Sequence, residues 1–184
     1  MVDPRRERLI ELLRTRSYER RQVNLSSGQK SDFFIDCKQT VLTAEGHALA
    51  GELLFEVLAR LPDCEAVAGV ALGGCPLASA VSLVSHQRQR PLDALYVRSE
   101  RKDHGSAKIL EGDKSLRPGL RVALLEDVIT TGGSSLRAVQ VLSDAGARVV
   151  GIAALVDRDE GGADNIRQAG IAFTALVSRA EIEG

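Results

Sequence analysis

The sequence has 184 residues, of which 44% are hydrophobic and 27% are charged, and this balance predicts one globular domain that spans residues 1–184. The formal net charge of -1 gives no general attraction to nucleic acid or to an anionic membrane, so we expect neither as a partner. Aromatic residues make up only 3% of the chain, which argues against a surface that stacks on the bases of single strands. Any anion must therefore be bound by a local motif.

The cysteines and the N-terminal segment indicate where the protein works. Cys37, Cys64 and Cys75 are odd in number and lack a CxxC spacing, so they predict buried thiols rather than disulfides or a structural zinc site. The segment MVDPRRERLIELLRTR is charged and lacks the apolar stretch of a signal peptide, and no later segment approaches the length of a membrane span. We therefore expect a cytoplasmic protein.

The first element in chain order is a predicted amphipathic helix. Asp3 has the position of an N-cap and Pro4 that of a first-turn proline, and the apolar residues that follow predict a helix to about Arg16. A short strand is predicted at residues 33–35. Thr43 then begins a second helix, which Pro62 ends.

Strands and helices alternate in the rest of the chain. The pattern predicts strands at 66–72, 92–97, 121–126, 148–156 and 171–177, and helices at 76–87, 134–145 and 165–168. These strands are nearly all apolar, as expected when helices cover both faces of a parallel sheet. The fold class is therefore predicted to be α/β.

The most informative segment is RVALLEDVITTGGSSLRAVQVL, residues 121–142. A buried strand leads into Glu126 and Asp127, then into a loop of threonine, glycine and serine residues, and then into a helix. Small residues let backbone N–H groups converge on an anion, and the helix N-terminus adds partial positive charge. The segment has neither the lysine of a Walker A motif nor a GxGxxG spacing. Carboxylates accept hydrogen bonds from hydroxyl groups, so the combination favours a sugar phosphate as ligand over a plain strand-to-helix turn.

The stretch LLEDVITTGGSS resembles the motif with which type I phosphoribosyltransferases bind 5-phosphoribosyl 1-pyrophosphate (PRPP). The resemblance implies the fold of that family, a mainly parallel sheet flanked by helices with a small N-terminal hood at about residues 1–40. It also implies that Glu126 and Asp127 hold the ribose hydroxyls. The residues implied to hold the 5-phosphate are Val128, Ile129, Thr130, Thr131, Gly132, Gly133 and Ser134.

The charged segment YVRSERKDHG is similar to the catalytic loop of one branch of this family, the orotate phosphoribosyltransferases. The resemblance implies a flexible loop at about residues 98–114 that closes over PRPP and reaches the partner subunit of a homodimer. Such a lid excludes water and must be polar and rich in charge. Arg98, Ser99, Lys102 and His104 are the implied PRPP contacts, and the implied catalytic residues are Lys102, His104 and Asp127.

The resemblance covers nearly the whole chain. LSSGQKSDFFID is similar to the hood segment, which implies that Phe33 and Phe34 pack on the orotate ring. GVALGGCPLA is similar to the loop that contacts pyrophosphate, and ALVDRDEGG to the segment whose arginine, here Arg158, recognises orotate. A guanidinium can bind the orotate carboxylate through two hydrogen bonds. Thr130 is expected to contact both the phosphate and the base.

The implied reaction transfers ribose 5-phosphate from PRPP to N1 of orotate, which yields orotidine 5'-monophosphate and pyrophosphate for pyrimidine synthesis. Positive charge develops on the ribosyl carbon and negative charge on the leaving pyrophosphate, so positioning and electrostatics matter more than a covalent nucleophile. Mg²⁺ is the expected cofactor. It is expected to be held mainly by substrate oxygens and water, without a dedicated set of protein ligands.

The chain departs from the family pattern at a few positions. Ser99 follows Arg98 where a lysine is common, and Arg101 or Lys108 is a candidate to supply the missing charge. Gly73 and Ser26 also stand where lysine is common. Two alternatives therefore stay open, a phosphoribosyltransferase for another nucleobase and a non-catalytic PRPP-binding regulator. The second has no DNA-binding segment in the sequence to support it.

Overall fold

The structure is a computed structural model, and it describes residues 3–24, 30–98 and 109–184. The strands are β1 (Tyr18–Asn24), β2 (Lys30–Ile35), β3 (Ala66–Val70), β4 (Asp93–Val97), β5 (Leu110–Glu111), β6 (Arg121–Ile129), β7 (Arg148–Asp157) and β8 (Phe173–Ser178). The α-helices are α1 (Pro4–Leu12), α2 (Lys38–Val41), α3 (Ala44–Val57), α4 (Gly74–Gln87), α5 (Gly133–Asp144), α6 (Gly162–Gln168) and α7 (Arg179–Glu183).

The main sheet has the strand order β5-β4-β3-β6-β7-β8 within the described part of the chain. Neighbouring strands from β4 to β8 are parallel, and only the short β5 runs antiparallel, against β4. Every residue of β3 is buried, which is why that segment reads as a continuous apolar run. The predicted α/β class and the mainly parallel sheet are confirmed.

The core lies on both faces of this sheet, and β6 shows why. Ala123 and Leu125 pack into one apolar cluster with α1, α3 and α4, whereas Val122 and Leu124 pack into the other with α5 and α6. Successive side chains of a strand point to opposite faces, so one apolar run supplies both clusters. Each fully buried aliphatic side chain contributes about 1.5–3 kcal/mol. The sheet is therefore a rigid base for whatever follows the carboxyl ends of its strands.

The N-terminal helices begin where the sequence predicts. Asp3 accepts a hydrogen bond from the Arg5 backbone N–H at 2.9 Å, and Thr43 caps α3 by accepting from the Gly46 backbone N–H at 3.1 Å. After Leu12 the first helix continues to Ser17 with the wider turns of a π-helix. The predicted end near Arg16 is thus confirmed.

Two strands form a small separate sheet beside these helices. β1 and β2 pair antiparallel, with Tyr18 opposite Ile35 and a shift in register between Arg20 and Val23. The predicted strand at 33–35 is the end of β2. Strand β1 was missed because its sequence, YERRQVN, is charged and shows no apolar alternation.

The cysteines and the membrane question end this survey. Cys37 and Cys64 are buried as predicted, but the prediction is wrong for Cys75, which is only half-buried. No helix among residues 3–24, 30–98 and 109–184 combines the length and apolar character needed to cross a membrane.

Candidate active site

The site lies at the carboxyl end of β6, where parallel α/β sheets commonly bind ligands. Glu126 to Ile129 belong to the strand itself, so the loop between strand and helix is shorter than the sequence suggests. Gly132 has φ +80°, a left-handed conformation that strongly favours glycine, and it begins α5 by accepting from the Leu136 backbone N–H at 2.9 Å. This turn directs the first backbone N–H groups of α5 at the end of β6.

A cavity of about 240 Å³ opens at this turn. Its lining residues are Val128, Thr130, Thr131, Gly132, Gly133, Ser134 and Arg137. The side chain of Ile129, in contrast, is 1% exposed and belongs to the core, so only its backbone is available to a ligand. We call this cavity the cradle. Hydroxyl groups, glycine backbone and a helix N-terminus make it suited to an anion, because all of them offer N–H or O–H donors.

Glu126 lies behind the cradle with 4% of its surface exposed. Ser135 and Ser134 donate hydrogen bonds to its Oε1 at 2.8 and 3.2 Å. Burial raises the pKa of Glu126 to about 7, helped by the nearby charge of Asp127 and opposed by the two serine hydroxyls. Near neutral pH this carboxyl therefore exchanges readily between its neutral and ionised forms.

Asp127 is half-buried and lies close to α2. Its Oδ1 accepts from the Val128 backbone N–H at 3.0 Å, and the Cys37 thiol approaches its backbone carbonyl at 3.7 Å. Burial raises the pKa of Asp127, while the positive charge of Lys38 opposes that rise. Lys38 itself forms an ion pair with Asp36 at 2.6 Å. Lys38 is thus a cation beside the site.

The loop between β3 and α4 lies directly against Asp127. A Cβ atom on Gly73 would overlap the Asp127 carboxylate, so the position accepts a side chain only if Asp127 moves. This explains locally why glycine stands at residue 73 in this chain. The Ala71–Leu72 peptide bond in the same loop is cis.

The predicted orotate contacts meet on the other side of the site. The Arg158 side chain is buried, and its Nη2 donates to the Phe33 carbonyl at 2.8 Å and to Glu160 at 2.9 Å. The guanidinium also lies 5.4 Å from the centre of the Phe33 ring. The structure therefore brings Phe33 and Arg158 together, although they are far apart in sequence.

The two phenylalanines differ in exposure. The Phe33 ring is fully buried and lies 5.0 Å from the Tyr18 ring, whereas Phe34 is half-buried beneath the Arg21 guanidinium at 3.7 Å. Phe34 is thus the more accessible of the pair in this arrangement. The contacts of both rings with a base stay predictions.

The catalytic loop falls largely outside the described residues. Ser99, Arg101, Lys102, His104 and Lys108 lie there, as does Ser26 of the hood. Arg98 is described: its Nε lies 3.2 Å from Glu111, and its backbone N–H donates to Ile109 at 2.8 Å. The far end of the predicted loop is partly regular, since β5 occupies two of its residues.

Comparison with known proteins identifies the family. Residues 40–170 match the model of the phosphoribosyl transferase domain. Over 174 residues the chain is 67% identical to the orotate phosphoribosyltransferase of Sorangium cellulosum strain So ce56, with 95% of this chain and 91% of that protein covered. The chain belongs to the orotate phosphoribosyltransferase family. That family is a branch of the PRPP-dependent enzymes predicted from the sequence.

Solved structures of family members agree. The Mycobacterium tuberculosis orotate phosphoribosyltransferase in complex with PRPP has a TM-score of 0.80 and 36% identity, over 98% of this chain and 100% of that one. The orotate phosphoribosyltransferase of Aeropyrum pernix has a TM-score of 0.77 and 33% identity, over 95% of both chains. The type I phosphoribosyltransferase fold is therefore confirmed.

Four residues of this family member were missed by the sequence analysis. They are Lys38, Ser135, Arg137 and Arg179. Ser135 could have been found from the capping position of hydroxyl residues at a helix start, and Arg137 from its spacing of four after Gly133. Lys38 and Arg179 carry no such signal, since tertiary packing alone brings them to the site. Arg179 lies 5.0 Å from the Phe33 ring and 2.9 Å from Asp32.

The residues of this family member were also searched for metal ligands. Within the described ranges, no group of three or more histidine, cysteine, aspartate or glutamate side chains could hold an ion. Glu126 and Asp127 supply two carboxylates of hard oxygen character. That donor set fits Mg²⁺, which is commonly bound by one or two carboxylates together with substrate phosphates.

Proposed function

We propose that this chain transfers the 5-phosphoribosyl group of PRPP to N1 of orotate, which gives orotidine 5'-monophosphate and pyrophosphate in pyrimidine biosynthesis. The observation that carries the proposal is the anion cradle with two buried carboxylates behind it, in a chain 67% identical to an orotate phosphoribosyltransferase. The cradle alone would suit many phosphorylated ligands. The carboxylates select one that also presents hydroxyl groups.

PRPP fits this arrangement in two parts. The 5-phosphate occupies the cradle, where the turn from Thr130 to Ser134 offers backbone and hydroxyl donors. The ribose hydroxyls donate to Glu126 and Asp127. Because Glu126 has a pKa of about 7, this contact favours its ionised form, and PRPP binding near neutral pH is accompanied by release of a proton.

The reaction breaks the bond between the anomeric carbon and pyrophosphate and forms the bond from that carbon to N1 of orotate. Negative charge grows on the departing pyrophosphate, so cations placed there before the reaction lower the barrier. Lys102, Arg98 and His104 have this role in the proposal, with Ser99 beside them. Mg²⁺, held by substrate oxygens and water, would neutralise part of the pyrophosphate charge when bound.

Orotate is held at the opposite side of the ribose. Arg158 binds its carboxylate, and Phe34, with Phe33 behind it, packs on the ring. Thr130, at the end of β6, contacts both phosphate and base. The guanidinium of Arg158 is already fixed by Phe33 and Glu160, which supports its use as a preformed anchor.

A homodimer that shares the catalytic loop is also part of the proposal. Three large apolar side chains are markedly exposed among the described residues, Leu42 at 67%, Leu72 at 70% and Leu83 at 57%. Leu72 immediately precedes Gly73 of the site, and Leu83 lies on the helix that follows. Exposed apolar residues of this kind support burial against a second copy. Location in the cytoplasm stays a prediction.

The test is an absorbance assay of orotate with purified protein, PRPP and Mg²⁺, in parallel with uracil, hypoxanthine and adenine. The proposal expects orotate consumption that requires both PRPP and Mg²⁺. Turnover with another base but not with orotate would replace it by a phosphoribosyltransferase of different specificity. No turnover with any base, together with tight binding of PRPP, would favour a non-catalytic regulator.

A further inference from the structure

Arg137 lies one turn into α5 and reaches back over the start of that helix. Side chains of an α-helix lean towards its N-terminus, so residues four apart are neighbours on one face. The Arg137 Nη1 lies 3.6 Å from the position that a Cβ atom on Gly133 would occupy. Glycine at residue 133 therefore leaves the space that the guanidinium uses. As a result, Arg137 lines the cradle from its solvent side.

The electrostatics of the cradle give this position its significance. Glu126 and Asp127 lie behind the cradle and repel an anion when they are ionised. Among the residues that line the cavity, Arg137 is the one cation within the described part of the chain. A phosphate bound there would gain from a positive group that offsets the carboxylates.

The surroundings leave Arg137 available for this role. It is exposed, and no carboxylate of the described residues lies within the 4.0 Å of an ion pair. The polar contact nearest in chain terms on the opposite rim is from Asn165, whose Nδ2 donates to the Thr131 carbonyl at 3.0 Å. That contact fixes the turn and leaves the side of the cradle below Arg137 open.

We infer that Arg137 is a binding residue for the 5-phosphate of PRPP. The inference rests on the proposed function and adds to it a residue outside the PRPP motif. The planar guanidinium presents paired donors that match two phosphate oxygens. The loop donors and the N-terminus of α5 hold the phosphate from within, and Arg137 closes the cradle from outside. A lysine can supply the charge but not the paired donors.

The experiment compares Arg137→Gln with Arg148→Gln. Both variants remove one exposed arginine charge, but Arg148 begins β7, at the end of the sheet opposite the cradle. Inhibition is measured against PRPP with two probes. Ribose 5-phosphate carries the 5-phosphate alone, and pyrophosphate carries the leaving group alone.

For Arg137→Gln we expect the inhibition constant of ribose 5-phosphate and the KM of PRPP to rise about fivefold to tenfold. This is the lower end for a charged hydrogen bond, because Arg137 is exposed. The inhibition constant of pyrophosphate should change less than about twofold, since a distant charge is screened. Arg137→Lys should recover part of the loss, and Arg148→Gln should match the wild type.

Two results would overturn the inference. One is unchanged inhibition by ribose 5-phosphate in Arg137→Gln. The other is equal weakening of both probes, which would mean a general effect of charge. Calorimetric binding of ribose 5-phosphate to wild type and variant separates this question from the proposed function. If the wild type does not consume orotate, the proposed function fails, while the binding ratio still decides the role of Arg137.

Discussion

The cradle and the base side of the site are built in opposite ways. The cradle comes from one continuous segment, Glu126 to Arg137, in which a strand end, a turn and a helix start follow each other. The base side is assembled from residues that are far apart in sequence, such as Tyr18, Phe33, Arg158 and Arg179. The difference shows how two binding surfaces in one site can be fixed by local and by long-range structure.

The difference extends to how each surface is stabilised. In the cradle, backbone groups and hydroxyls are positioned by the helix start, and the turn requires little else. On the base side, Arg158 is held by the Phe33 carbonyl and by Glu160, so its position depends on the hood. We expect changes in the cradle to act on PRPP alone, and changes on the base side to act on orotate and on stability together.

The largest expected effect is that of Asp127→Asn. Removal of the charge weakens the acceptor for a ribose hydroxyl, so kcat/KM for PRPP should fall by about 10²-fold. Steady-state kinetics with saturating orotate measure this. Asp36→Asn is the matched control, because it removes a nearby carboxylate that pairs with Lys38. Similar losses in both variants would show a general charge effect and contradict a specific role.

The next effect concerns the base side. Arg158→Ala should raise the KM of orotate by about tenfold or more and leave the KM of PRPP within about twofold, because only the carboxylate contact is lost. Arg158→Lys should recover part of the affinity. Thermal unfolding of both variants shows how much stability is lost with the contacts to Phe33 and Glu160. An unchanged KM for orotate would remove Arg158 from the base side.

Glu126→Gln should stabilise the free protein at alkaline pH. The pKa of Glu126 rises from 4.5 to about 7 on folding, so the folded state binds more protons between these values and loses stability as pH rises through that window. A neutral glutamine avoids this loss and should add about 2 kcal/mol to the free energy of unfolding at pH 8. Urea unfolding at pH 5 and pH 8 measures it. A variant no more stable than the wild type at pH 8 would contradict the burial argument.

The smallest effect is that of Ser135→Ala. The Ser135 hydroxyl favours ionised Glu126, so its loss raises the pKa of Glu126 and shifts the pH at which PRPP affinity increases to a higher value. At pH 7 we expect about threefold weaker PRPP binding. Ser135→Thr should restore the wild-type profile. An unshifted pH profile would limit Ser135 to a structural role.

The same contrast explains what the sequence could predict. The strand, the carboxylate pair and the glycine turn of the cradle follow from local patterns, and all three are found. Ser135 and Arg137 needed only the geometry of a helix start. Strand β1 and the contact of Phe33 with Arg158 could not be predicted from local pattern, because charged residues form the strand and 125 positions separate the contact partners.

Calorimetric titration of PRPP with Mg²⁺ into three proteins, the wild type, Asp127→Asn and Arg158→Ala, tests the central claim most directly. If the cradle binds PRPP independently of the base side, Arg158→Ala should bind PRPP with the wild-type affinity. Asp127→Asn should show binding weakened by about 10²-fold. Equal weakening in both variants would contradict the division of the site into a local cradle and an assembled base side.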